Sequence, residues 1–112
     1  MKTTKTKFEP APYPEPPAGL SSRSQELWRK LGREHAESTS RQVLFEQALK
    51  ALDRADQCAL AIASEGLTSV TASTGALHVH PLVKIEIESR NQFAKIWFSQ
   101  LCMTVEKDPY GL

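Results

Sequence analysis

Between residues 42 and 64 apolar side chains recur at spacings of four and three: Leu44, Ala48, Ala51, Ala55, Cys58 and Ile62, with Phe45, Leu52 and Ala59 widening the stripe. That period belongs to a helix with one buried face, and Glu46, Lys50, Asp53 and Gln57 mark its polar side. The pattern predicts a helix over 41–64, about 36 Å long. Thr39 or Ser40 serves as N-cap, and the αL glycine device at Glu65-Gly66 closes it. A narrower stripe, Leu27, Trp28 and Leu31, predicts an earlier helix from Ser22 to about Ala36. Ser22 and Gln25 have capping-box spacing there, and Leu20 is placed to staple the first turn. The two helices read as an antiparallel hairpin.

After Gly66 the period changes. Thr68, Val70 and Thr71 precede a small polar turn with Gly75, and Leu77 and Val79 then alternate with His78 and His80. This predicts a β-hairpin at about 67–80. Two strands alone are marginal, so the hairpin must lean on helices or on another subunit. Pro81 suits the first position of a third helix, where its missing N–H has no intrahelical partner, and the helix should reach about Leu101. Its apolar residues form two stripes. Leu82, Ile85, Ser89, Phe93 and Ile96 make one, and Val83, Ile87, Ala94, Trp97 and Leu101 make the other, roughly 120° around the axis. Lys84, Glu88, Asn91 and Lys95 fill the narrow strip left for solvent.

A helix this apolar has more surface than its own hairpin covers, which points to a subunit interface through Leu82, Val83, Ile87, Phe93, Trp97 and Leu101. The expected fold is therefore mainly α, a helical hairpin with a short β-hairpin and a third long helix, in an oligomeric ring-forming subunit. Residues 20–103 form its single domain. Residues 1–19, with Pro10, Pro12, Pro14, Pro16 and Pro17, read as a flexible proline-rich arm, and 104–112 as a polar tail.

Composition narrows the possibilities. Hydrophobic residues at 40% and a net charge of +1 describe a globular chain without the overall basic excess of a typical nucleic-acid binder. The cations are local instead: Arg23, Arg29, Lys30, Arg33 and Arg41 gather in and just after the first helix, and Lys2, Lys5 and Lys7 lie in the arm. No apolar run approaches a membrane span and the N-terminus lacks a signal-peptide core, so a cytoplasmic location is expected. Cys58 and Cys102 sit in apolar helical contexts and read as small core residues.

No P-loop, nucleophile elbow or acidic two-metal cluster is present in the sequence. His78 and His80 are placed to chelate a metal as a pair, but zinc requires a third or fourth ligand that no spacing marks. They read instead as polar strand residues, so the expectation is no enzyme, no metal and no cofactor.

The order of the segments PPAGLSSRSQELWRKL, EGL at 65–67, a threonine-rich hairpin with a glycine, and HPLVKI opening a helix resembles the small terminase subunits of tailed phages. The resemblance spans about residues 16–103, with Leu27-Trp28, Gly66-Leu67 and His80-Pro81 followed by Lys84 as its best markers. It implies a non-enzymatic part of a DNA-packaging motor in the host cytoplasm. Such subunits form homo-oligomeric rings, bind double-stranded viral DNA and regulate the ATPase and nuclease of the large terminase subunit. The third helix and hairpin would then close the ring by a head-to-tail contact, and Arg23, Arg29, Lys30, Arg33 and Arg41 would touch phosphates without reading bases. The end of the chain, LCMTVEKDPYGL, departs from the basic tail usual in that family. The alternative is an oligomeric helical adaptor that binds protein only.

Overall fold

The computed structural model describes residues 12–70 and 75–103. Lys2, Lys5 and Lys7, the hairpin turn at 71–74 and the tail at 104–112 lie outside the described residues. The elements run α1 (Ser22–His35), α2 (Thr39–Glu65), β1 (Thr68–Val70), β2 (Leu77–Val79) and α3 (Leu82–Ala94), continued by a π-helical segment (Lys95–Gln100). The fold is mainly α, as the hydrophobic period predicts.

α2 is the axis of the molecule. α1 and α3 both pack along it. Contacts along it fix their directions: the start of α1 reaches Asp53 at its middle, His80 just before α3 meets Glu65 at its end, and Arg41 in its first turn binds the far ends of α1 and of the third helix. α1 and α3 are thus each antiparallel to α2. The core lies where α1, α2 and the π-helical segment meet, around Trp28, Phe45, Leu49, Ile96 and Leu101. An aromatic row threads it. Tyr13 and Trp28 have ring centroids 5.4 Å apart, Trp28 stacks on Phe45 at 5.3 Å, and Phe45 meets Trp97 at 6.0 Å. Such offset pairs contribute beyond their buried area.

The helix starts differ from the sequence expectation by one residue. Ser21, not Ser22, caps α1, its Oγ accepting the Ser24 N–H at 3.1 Å. Ser38 caps α2, leaving Thr39 and Ser40 in the first turn. Asp53, assigned to the solvent face by periodicity, is buried. It faces the start of α1 and accepts three hydrogen bonds: from Ser21 N at 2.8 Å, Ser21 Oγ at 2.7 Å and Ser24 Oγ at 2.6 Å. One carboxylate therefore selects the cap, joins two helices and supplies negative charge at a helix N-terminus.

α2 ends at the expected glycine, but with ψ 148° Gly66 is extended rather than in the αL conformation expected. Gly66 has φ 97° and its N–H returns to Ile62 O at 2.7 Å, a conformation costly for a residue with a side chain. The β-hairpin is antiparallel, pairing Thr68 with Val79 and Val70 with Leu77. Pro81 precedes α3 rather than opening it.

The third helix departs most from expectation. Its last turns widen into the π-helical segment, where Leu101 N bonds to Ile96 O at 2.8 Å. The wider turn alters the angular register of the residues after it. Leu101 and Met103 turn into the core, only 1% and 2% exposed. Leu101 is therefore not available to the interface that its stripe predicts. Cys102, expected in the core, is exposed and adopts φ 58° as the chain leaves the helix, whereas Cys58 is buried as expected.

Nor is the whole proline-rich arm a solvated leader. Tyr13 lies against Gly32, where an added Cβ would stand 2.2 Å from the ring. Its hydroxyl donates to Ala36 O at 2.6 Å, and Trp28 Nε1 donates to Pro14 O at 2.8 Å. The segment before α1 is thus a strap across that helix. Burial pushes the Tyr13 phenol above its ordinary pKa, favouring the neutral form that donates this bond.

Candidate functional site

Two surfaces carry the residues singled out by the sequence. The first lies where the hairpin meets α3. His80 makes this junction rigid. Its N–H donates to Leu67 O at 2.7 Å, its carbonyl accepts from Val83 N at 3.0 Å, and its Nδ1 accepts from Leu82 N at 3.1 Å. Accepting at Nδ1 leaves the ring proton on Nε2, which lies 2.6 Å from Glu65 Oε1. Both ring nitrogens are therefore used within the chain, and His78 lies exposed on β2. Among the described residues no group of three or more His, Cys, Asp or Glu is arranged to hold a metal ion.

Beside this junction runs an open groove of about 630 Å³, walled by Val79, Pro81, Val83 and Ile87, with Lys84 and Glu88 on its rim. Ile87 is 55% exposed and Val79 60%, and Leu67 and Leu77 of the hairpin are exposed as well. Val79 of the hairpin thus lines one groove with Val83 and Ile87 of α3, and Val79 and Ile87 lie exposed in it. Among the predicted interface residues, Ile87 is exposed, while Leu82 and Val83 are half-buried. Phe93 and Trp97 are half-buried but lean on the core, with their ring centroids 4.8 Å apart. The predicted interface residues are thus divided: Ile87 faces outward, and Phe93, Trp97 and Leu101 support the chain's own core.

The second surface is basic, and it is smaller than the sequence suggests. Arg23 is ion-paired with Asp56, which Arg90 of α3 also approaches at 3.6 Å. Arg41 donates through Nε to His35 O at 2.6 Å and through Nη2 to Leu101 O, capping the ends of α1 and of the third helix together. Its part is structural, because a guanidinium held by two carbonyls from different elements is not presented to a ligand. Arg29, Lys30 and Arg33 lie exposed on the second half of α1, with Arg29 4.0 Å from Glu15 and Arg33 engaged as well. Replacing Arg41 by alanine is expected to lower stability by about 2 kcal/mol, and thermal melts of the variant check it.

Sequence reasoning missed the Asp53 knot, the Glu65–His80 pair and the strap. One signal for the strap was present: Gly32 interrupts a helical pattern where only a close approach justifies a glycine. No helix among the described residues is long and apolar enough to cross a membrane. No protein-family model, curated protein or solved structure matches the chain.

Proposed function

We propose that this chain is a small terminase subunit: a non-catalytic, ring-forming protein that holds double-stranded viral DNA by its phosphates and regulates the large terminase subunit during genome packaging in the host cytoplasm. The observation that carries the reading is the apolar groove walled by Val79, Val83 and Ile87 where the hairpin meets α3, in which Val79 and Ile87 are exposed. A subunit that closes a ring head to tail needs such a face, and an isolated small domain gains nothing by exposing one. The sequence resemblance across residues 16–103 supplies the identity of the assembly.

In this reading Arg29, Lys30 and Arg33 contact phosphates. Replacing the three by alanine is expected to weaken binding similarly on duplexes of unrelated sequence and to lower the slope of log K against log salt by about 2 to 3. Unchanged affinity in a gel-shift titration would remove DNA contact from α1.

A protein-only adaptor is the second reading, favoured by one observation: Arg23 and Arg41 are engaged within the chain, and Arg29 lies 4.0 Å from Glu15. Retention on a DNA column at low salt separates the two. The adaptor should flow through, and the terminase subunit should be held and then released by salt.

A further inference from the structure

We infer that the groove beside the hairpin receives Phe98 of a second copy of this chain, with Lys95 of that copy set against Glu88 on the groove's rim. The inference rests on the reading that copies assemble through this groove, and it names what the neighbour brings to it.

Phe98 stands apart from the other aromatic side chains of the described residues. Tyr13, Trp28, Phe45, Phe93 and Trp97 build the core or pack against it, whereas Phe98 takes no part in it and is 47% exposed. The π-helical segment sets this position. Widened turns of that kind recur where a helix is put to use, and here Ile96 and Leu101 turn into the core while Phe98 stays outside. The groove offers the complementary shape. Val79, Pro81, Val83 and Ile87 wall about 630 Å³, a volume in the range that encloses ligands larger than a phenyl ring. Aromatic anchors seated in apolar pockets are the side chains that dominate the affinity of protein interfaces. The chain cannot fill its own groove in this way. Phe98 lies eleven residues beyond Ile87 on one continuous helix, about 16 Å along its axis.

Charge favours a second copy as the occupant. Glu88 lies exposed on the rim next to Ile87, and Lys95 lies exposed three residues before Phe98. Neither has an ion-pair partner among the described residues. They stand two turns apart on the helix, about 10 Å, too far to pair within one chain. Seating Phe98 in a neighbour's groove brings these opposite charges to one edge of the contact, while Lys84 on the same rim stands one turn closer to the hairpin. A pair at a rim fixes register more than it adds affinity. Groove and Phe98 are different patches, so each copy receives one neighbour and offers its ring to the next, the heterologous contact that a ring requires.

Dissociation on dilution, followed by light scattering coupled to size exclusion, provides the test. Phe98→Ala removes an exposed ring that is no part of the core around Phe45 and Leu49. It is expected to raise the concentration at which the assembly falls into single chains about thirtyfold. Glu88→Lys and Lys95→Glu are each expected to raise it about fivefold, and the two together to return it to within about twofold of wild type. The charge reversals carry the test alone if F98A melts below the assay temperature. If the wild type assembles and F98A dissociates at the same concentration, the inference is overturned and assembly through the groove still stands. A double reversal no better than the single changes overturns it equally. A wild type that is monomeric at every concentration overturns both.

Discussion

Val83→Asp combined with Ile87→Asp is expected to convert the proposed ring into single chains that keep their helical fold. Both positions wall the groove beside the hairpin, Ile87 55% exposed and Val83 half-buried, and neither belongs to the core around Phe45 and Leu49. In the assembly the same positions would be covered by a neighbour. A carboxylate buried there without a partner costs several kcal/mol, and a stable contact of ordinary size, about 800 Å² per partner, does not absorb two. DNA affinity should fall with the assembly, because a ring presents many phosphate contacts at once and a monomer presents one set. Light scattering reads the mass and far-UV circular dichroism reads the fold. A double variant that keeps the wild-type mass would place the interface elsewhere.

Asp53→Ala is expected to destabilise the chain by about 3 kcal/mol, visible as a fall in Tm of about 15 °C for a domain of this size. The loss comes from what the change leaves behind. Ser21 N, Ser21 Oγ and Ser24 Oγ all donate to this carboxylate, and Ser24 is fully buried, so its hydroxyl would lose its acceptor out of reach of water. Asp53→Asn keeps the shape and one acceptor oxygen, and should cost less. The double change Ser21→Ala with Ser24→Ala removes the donors, so adding Asp53→Ala to it should cost less than in wild type, as expected for residues of one network. Since total stability for such domains is about 5–10 kcal/mol, Asp53→Ala removes a large share. A melt within a few degrees of wild type would show that the knot is dispensable.

The long helices were legible because their stripes run over several turns, and the hairpin because the period switches from helical to alternating after Gly66. What the sequence concealed depends on distant partners. SSRSQ offers more than one serine of equal capping propensity, and Asp53, 32 residues away from Ser21, decides between them. The same contact buries a residue that its helical period assigns to solvent. Arg41 looks like one more cation of a basic run, yet its neighbours in space are carbonyls from two other helix ends. The π-helical segment has no local signature in KIWFSQ, and without it Leu101 shares a stripe with Trp97. By contrast, the apolar excess that leaves Ile87 exposed was readable. An excess of apolar residues on one helix is a property of the sequence itself and needs no partner to be seen.

The central claim is that the face at the hairpin and the start of α3 joins copies of this chain into a ring. The native mass of the protein, measured by light scattering coupled to size exclusion, tests it most directly. The account predicts one species of several subunits whose mass is independent of loading concentration, as a closed ring requires. A monomer at every concentration would contradict it, and so would a ladder of masses that grows with concentration.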